Sequence, residues 1–259
     1  MLIGASLAVC TVAICTTAQV RSSRVRPQFA LPPPEAPSVA VAASRQRFPV
    51  HRIYCVGRNY ADHVRETGAD PQREPPVFFM KPADAVVANG AAVAYPPRTA
   101  NFHHEIELVV AIGRGGRDIR GPRALEHVFG YAAGNDLTRR DLQHAAKQRG
   151  QPWDAGKGFD CSAPVAAIRP AALGEVARGR IWLSVNGELR QESDLSRMLW
   201  DVPHIIAELS TLFELRAGDL IFTGTPAGVG PVKPGDRLEG GIEGLEVLRN
   251  TIVPAPPAD

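Results

Sequence analysis

The sequence predicts an α+β domain that is predominantly β, and three observations carry that expectation. Short apolar runs recur between turns rich in Gly, Pro and Asp, a spacing that suits strands better than long helices. One turn, in "SVNGELR", contains Asn186-Gly187, the strongest short hairpin signal, because both residues accept the positive φ of a tight turn. Stretches with helical spacing are few, and no internal repeat, heptad run or mid-chain linker accompanies them. The 259 residues, 44% hydrophobic and 22% charged, suffice to bury an ordinary core.

At the start, "MLIGASLAVCTVAICTTAQV" is apolar over about the length of a signal-peptide core, but no Lys or Arg precedes the run. A poor signal or anchor, a disordered extension, and residues upstream of the true start compete as readings. The missing charge favours the last two, so residues 1–26 are set outside the expected fold. The consecutive prolines Pro32, Pro33 and Pro34 can neither continue a helix nor pair in a central strand. Residues 1–47 are therefore expected to be an extension with a Pro-rich tether. A single domain is expected over residues 48–259, ending in the short loose tail "VPAPPAD".

Within that domain a strand is expected at Ile53–Val56, ending in Gly57. Others are expected in "PPVFFMKP", "AAVAYPP", "IELVVAIG", "RIWLSVNGELR", "DLIFTGTP" and "LEVLRNTIV". Helical spacing occurs in "GPRALEHVFGYAAG", with Pro122 near a first turn, and in "NDLTRRDLQHAAKQRG", which ends at Gly150. A third helix is expected in "DVPHIIAELSTLFEL", with Pro203 at its start.

Composition excludes several function classes. A formal net charge of +2 gives no electrostatic footprint for nucleic acid or a membrane surface. The four cysteines, Cys10, Cys15, Cys55 and Cys161, form no CxxC pair and no dense framework, which favours reduced thiols and a cytoplasmic setting. Neither GxxxxGK[ST] nor GxGxxG occurs, so phosphate cradling and a dinucleotide-binding domain have no support.

The chemistry-bearing residues begin with an oddity in "NFHHEIELVVAIG". Glu105 and Glu107 lie two apart in a β-prone apolar run, so both carboxylates point to one face, which they share with His103. A solvated strand face would tolerate them, and so would a metal ion. Asp136, in "AGNDLTRRDLQ", sits where small residues give way to a helical pattern; it could cap that helix or supply a third carboxylate. Three carboxylates suit Mg²⁺, and Mn²⁺ accepts the same ligands. If a helix began at Asp136, Arg140 and Gln143 would share its face, with a surface ion pair as the bland alternative for Arg140. In "GRNYADHVRETG", His63 and Glu66 are three apart and would meet on a helical turn, either as an exposed polar turn or as a His–carboxylate base for activating water. Lys157 in "WDAGKGFD", and Thr223 and Thr225 in "IFTGTPAGVG", lie among glycines that let backbone approach a ligand or simply make turns.

Together these pieces resemble the fumarylacetoacetate hydrolase family in its single-domain bacterial form, over Phe48 to about Asn250. The motifs "CVGRNYADH", "FMKPADAVV", "HHEIELVVAIG", "GNDLTRRDLQ", "PWDAGKGFD", "NGELRQ", "GDLIFTGTPAGVG" and "KPGD" stand in family order. "REPPVFFMKPADAVV", "HHEIELVVA" and "AGKGFD", with the lead-in "LPPPEAPSV", look most like the fumarylpyruvate-hydrolysing branch that serves gentisate degradation. The resemblance implies a mixed β-sandwich roll of that family's C-terminal-domain type. It implies a Mg²⁺ or Mn²⁺ ion held by Glu105, Glu107 and Asp136, which would neutralise the two glutamates. It also implies a water-activating dyad of His63 and Glu66 on a segment that becomes a lid. Arg140, Gln143, Lys157 and Thr225 would then hold the keto-acid end of the substrate, with Lys157 stabilising developing charge. Gly158 stands where Ser is usual after the motif lysine, and Arg139 replaces a small residue before Arg140.

The implied reaction is hydrolysis of the C–C bond of an acylpyruvate, fumarylpyruvate and water giving fumarate and pyruvate. The implied partner is a small diketo acid, without nucleic acid or membrane, in a cytoplasmic homodimer. Alternatives on the same scaffold are hydrolysis of maleylpyruvate or other acylpyruvates, oxaloacetate decarboxylation, and isomerisation or decarboxylation in homoprotocatechuate degradation. An exported, non-catalytic binding protein is the alternative from another class, and it would lack at least one metal or dyad position.

Overall fold

The structure, a computed structural model, describes residues 29–66 and 76–255. The chain divides into two compact units, Met1–Glu35 and Ala36–Asp259. Residues 29–35 of the first unit carry no helix or strand and are exposed, with Phe29 and Leu31 open to solvent. The expectations for residues 1–26, Cys10 and Cys15 lie outside the described residues, as do the last four residues of the tail.

The second unit is built mainly from β-structure, in curled sheets. The central, eight-stranded mixed sheet runs in the order Val77–Lys81, Arg52–Gly57, Asp219–Phe222, Ile106–Ile112, Val128–Asn135, Ala163–Val165 and Val86–Ala88, and Arg169–Pro170 also pairs with Val128–Asn135. A five-stranded sheet runs Glu188–Asp194, Arg180–Val185, Arg237–Ile242, Leu248–Val253 and Ala92–Ala94. A smaller three-stranded sheet joins Thr138–Arg139, Phe102–His104 and Gly230–Pro231. The strands expected from the apolar runs are all present. Asn186 and Gly187 both have positive φ, 54° and 84°, as the hairpin between Arg180–Val185 and Glu188–Asp194 requires.

The strand Ile106–Ile112 is buried along its whole length, which explains its nearly unbroken apolar sequence. Its side chains alternate between two cores. Leu108, Val110 and Ile112 pack with Tyr54 and Tyr131 in one; Val109 and Ala111 pack with Ile53, Cys55 and Phe222 in the other.

Two expectations change. The pattern in "GPRALEHVFGYAAG" reads as a helix, but Gly121–His127 is a 3₁₀ segment and Val128–Asn135 is a strand. Its pairing with Ile106–Ile112 and burial on both faces override the helical spacing. The helix expected near Asp136 starts instead at Arg140 and runs to Gln148, because Thr138–Arg139 is drawn into the three-stranded sheet by Phe102–His104. Upstream, Ser38–Ala40 pairs with Arg47–Pro49, and Val39, Val41 and Phe48 enter the second core. Residue 48, where the catalytic domain is expected to begin, lies in this β-ribbon, within the compact unit Ala36–Asp259. The third helix forms at Val202–Leu212, with the Asp201 side chain accepting the His204 N–H at 3.0 Å as its cap and with Val202, Ile205, Ile206 and Leu209 buried.

Candidate metal centre

Two adjacent strands build the centre. Glu107 lies in Ile106–Ile112 and Glu105 immediately precedes it; Asp136 immediately follows Val128–Asn135. The antiparallel register sets Ile106 opposite Asn135, so the ends of the two strands bring Glu105 and Asp136 together. Two bonds lock that corner: the Asp136 N–H donates to the Glu105 carbonyl at 2.8 Å, and the Glu105 N–H donates to Asn135 Oδ1 at 2.8 Å. Glu105, Glu107 and Asp136 are buried, and each offers a carboxylate oxygen within 4.8 Å of the others.

Cations surround two of the three acids. Lys157 Nζ lies 2.6 Å from both Glu105 Oε2 and Asp136 Oδ2, and donates to Thr138 Oγ1 at 2.7 Å. Arg140 Nη2 donates to Glu105 Oε1. Among the described residues no donor hydrogen-bonds Asp136 Oδ1, which lies 2.8 Å from Lys81 Nζ. Burial alone would raise the Glu105 carboxyl, but Lys157 and then Arg140 outweigh it and hold Glu105 below the ordinary carboxylate range. Burial likewise opposes the charge on Lys157, yet Asp136 and Glu105 raise its pKa.

Glu107 is treated differently. It accepts the Gly224 N–H at 2.8 Å, and no Lys or Arg among the described residues comes within ion-pair distance of it. Burial first, then the charges of Asp136 and Glu105, push its pKa well above the usual range. A buried carboxylate in this condition needs a proton or a cation. The donor set fits the cation: three hard oxygen ligands, converging from one corner of the sheet, suit Mg²⁺ or Mn²⁺.

His63 and Glu66 lie on the short helix Ala61–Glu66, where three-residue spacing puts His63 Nδ1 3.2 Å from Glu66 Oε2. The Glu66 carboxylate also meets the Gly228 N–H at 3.2 Å, fixing the helix to the loop that carries Thr225. The hydrogen bond from His63 leads the effects that lower the Glu66 pKa. Gln143 Oε1 accepts from Arg140 Nη1 at 2.6 Å. Thr225 Oγ1 donates to the Ile106 carbonyl and accepts from Gln191 Nε2, both at 2.8 Å. His63, Glu105, Glu107, Asp136, Arg140, Gln143, Lys157 and Thr225 all line one cleft. Glu66 stands behind His63.

Two glycines set the approach distances. A Cβ on Gly156 would lie 2.8 Å from the Gln143 backbone N, so only Gly lets the Lys157 turn pack on the helix Arg140–Gln148. Gly224 has φ 96°, and a Cβ there would meet Asn59 Cβ at 2.7 Å. That turn aims the N–H at Glu107.

Other expectations resolve as follows. Thr223 is buried behind the cleft, donating to the Leu108 carbonyl at 3.0 Å. Arg139 lies in the strand Thr138–Arg139 and stacks over Phe159, 4.3 Å from its ring centroid. His103 borders the site and is held neutral: burial first and Arg140 second lower its pKa to about 4. Sequence reasoning missed Lys81, which is buried and donates to the Leu137 carbonyl at 3.1 Å as well as facing Asp136. It also missed the cleft walls Phe79, Lys147 and Trp153. A lysine ending an apolar strand, as in "FFMKP", was the available signal for Lys81.

The model of the fumarylacetoacetate (FAA) hydrolase C-terminal domain matches residues 52–253. The crystal structure of fumarylpyruvate hydrolase from Pseudomonas aeruginosa, in complex with Mn²⁺ and pyruvate, is 53% identical, covers 87% of this chain and 99% of that one, and superposes with a TM-score of 0.85. A fumarylpyruvate hydrolase from a Ralstonia species is 46% identical over 186 residues, 72% of this chain and 97% of that protein. The human mitochondrial oxaloacetate tautomerase FAHD1 is also 46% identical, over 194 residues, 74% of this chain and 87% of that protein.

Proposed function

The chain belongs to the fumarylacetoacetate hydrolase family, and from that premise we propose that it is a metal-dependent acylpyruvate hydrolase whose substrate is fumarylpyruvate. The observation that carries this reading is one cleft lined both by a buried carboxylate triad and by His63, whose Nδ1 is held by Glu66 from behind. The 53% identity to a fumarylpyruvate hydrolase supports the choice of substrate.

In this reading Glu105, Glu107 and Asp136 hold a Mg²⁺ or Mn²⁺ ion. When bound, the ion supplies Lewis acidity and a template for the adjacent carboxylate and keto oxygens of a 2-oxo acid. His63, oriented by Glu66, takes a proton from water, and that water adds to the distal carbonyl of the substrate. The C–C bond then breaks: the acyl group leaves as fumarate, and the electron pair passes to the pyruvate fragment as an enolate. Lys157 and Arg140 stabilise the developing negative charge, and Gln143 and Thr225 orient the keto-acid end. A proton returned to the enolate carbon completes pyruvate.

The same reading places the protein in the gentisate branch of aromatic degradation, in the cytoplasm, as a homodimer with residues 36–259 as the catalytic unit. No helix among the described residues is long and apolar enough to cross a membrane.

A second reading, action on oxaloacetate, is favoured by the relatives named for oxaloacetate chemistry. The two readings begin with the same enolate chemistry and differ in the pocket walls. Purified protein supplied with Mn²⁺ is to be assayed with fumarylpyruvate, maleylpyruvate and oxaloacetate. Fumarylpyruvate giving pyruvate and fumarate supports the proposal. Turnover of oxaloacetate alone moves the protein to the second reading.

A further inference from the structure

Among the described residues, five cations stand in or against the cleft, and they divide into two groups. Lys157, Arg140 and Lys81 are tied to Glu105 and Asp136. Arg58 and Lys147 also line the cleft, yet no acid among the described residues pairs with either. Arg58 follows the end of the strand Arg52–Gly57, and its Nε is buried without a hydrogen-bond partner among the described residues. Its backbone sits at φ 62°, a left-handed conformation that a non-Gly residue adopts at a cost. Lys147 lies one helical turn beyond Gln143 on the helix Arg140–Gln148, so both reach the same cleft. Its ammonium is 5.8 Å from the Trp153 ring centroid. Burial first, and then the charge of Arg58, lower the pKa of Lys147, which marks the two as electrostatic neighbours.

Two like charges held together, one with an unsatisfied buried donor, are costly unless an anion joins them. We propose that Arg58 and Lys147 form the seat for a second carboxylate, at the end of the substrate remote from the carboxylate triad, so that the site selects dicarboxylates. The proposal rests on the reading that the 2-oxo-acid end of the substrate sits at Glu105, Glu107 and Asp136. A charge-assisted fork from Arg58 and a point charge from Lys147 would read that carboxylate, while Trp153 and Phe79 wall the acyl chain between the two ends.

The test uses binding, so it stands apart from whether any acylpyruvate is hydrolysed. The Mn²⁺-loaded protein is titrated calorimetrically with 2-oxopimelate and with 2-oxoheptanoate, which differ only in the terminal carboxylate. The wild-type chain should bind the dicarboxylate at least about tenfold more tightly, the scale of one charged hydrogen bond. Arg58→Asn, in a residue type that tolerates left-handed backbone, and Lys147→Met, which keeps an unbranched stem against Trp153, should each erase most of that preference. Both should bind 2-oxoheptanoate as the wild type does, which also reports an intact site. Arg58→Lys should restore part of the preference. Equal affinity of the wild-type chain for the two acids, or a preference that survives in both neutral variants, would overturn the proposal. Failure of hydrolysis alongside a retained preference would count against the hydrolase reading and leave the carboxylate seat standing.

Discussion

Glu107 is the residue on which the site turns. It is buried, holds one backbone hydrogen bond and has no cation on it among the described residues, whereas Glu105 shares Lys157 and Arg140. An uncompensated buried charge costs stability, and a cation that binds only the folded state returns it by mass action. Glu107→Gln should therefore raise the melting temperature of metal-free protein and abolish the upward shift that Mn²⁺ gives the wild type; each kcal/mol appears as about 2–4 °C in a chain of this size. A metal-induced shift that survives in Glu107→Gln would count against the residue as a ligand. Scanning calorimetry with and without the ion reads both. The paired glutamates were legible because two-residue spacing on a strand forces one face. Lys81 was not, since nothing along the chain says that Val77–Lys81 ends beside Asp136. Its side chain meets Asp136 only after two strands have found their places in the sheet.

At the scale of elements, the site depends on close packing of short pieces. The Asp154–Lys157 turn approaches the helix Arg140–Gln148 through Gly156, and a methyl group there would strike backbone, which cannot rotate away. Gly156→Ala should push Lys157 from Glu105 and Asp136 and lower kcat/KM by on the order of 100-fold, as a displacement of about 1 Å does elsewhere, with the fold retained in circular dichroism. The helix Ala61–Glu66 is held through Glu66 to the Gly228 N–H. Because the Glu66 pKa is lowered in the folded state, that attachment is present above the ordinary glutamate range and is lost as pH falls through the folded value. Hydrogen exchange should show this helix staying closed in mild acid, opening only as pH falls below the ordinary glutamate range, and opening at neutral pH in Glu66→Gln. Strands were legible at this scale, because apolar runs between Gly and Pro turns leave few alternatives. The strand Val128–Asn135 was not: its local spacing suits a helix, and only its partner Ile106–Ile112 decides against one.

For the whole molecule, the cleft draws on segments far apart in sequence: the helix at residues 61–66, the strand ends at 105–107 and 136, the pieces at 140–157, and the loop at 224–228. The family resemblance made this grouping legible, because motif order survives when spatial order does not. The domain start was less so: short strands such as Ser38–Ala40 give no periodicity to read, and their burial comes from the ribbon they form with Arg47–Pro49. A chain beginning at Ala36 should melt at the same temperature as the full chain and turn over substrate at the same rate. A lower melting temperature would mean that residues 1–35 contribute to the folded unit.

The central claim is that a divalent ion at Glu105, Glu107 and Asp136 carries the hydrolysis of an acylpyruvate. The most direct measurement titrates Mn²⁺ into metal-stripped protein while following the diketo absorbance of fumarylpyruvate and the appearance of pyruvate and fumarate. Turnover should rise from zero in step with one ion bound per chain, and Asp136→Asn should lose both binding and turnover. Full turnover by the stripped protein, or tight binding of Mn²⁺ that Asp136→Asn leaves unchanged, would contradict it.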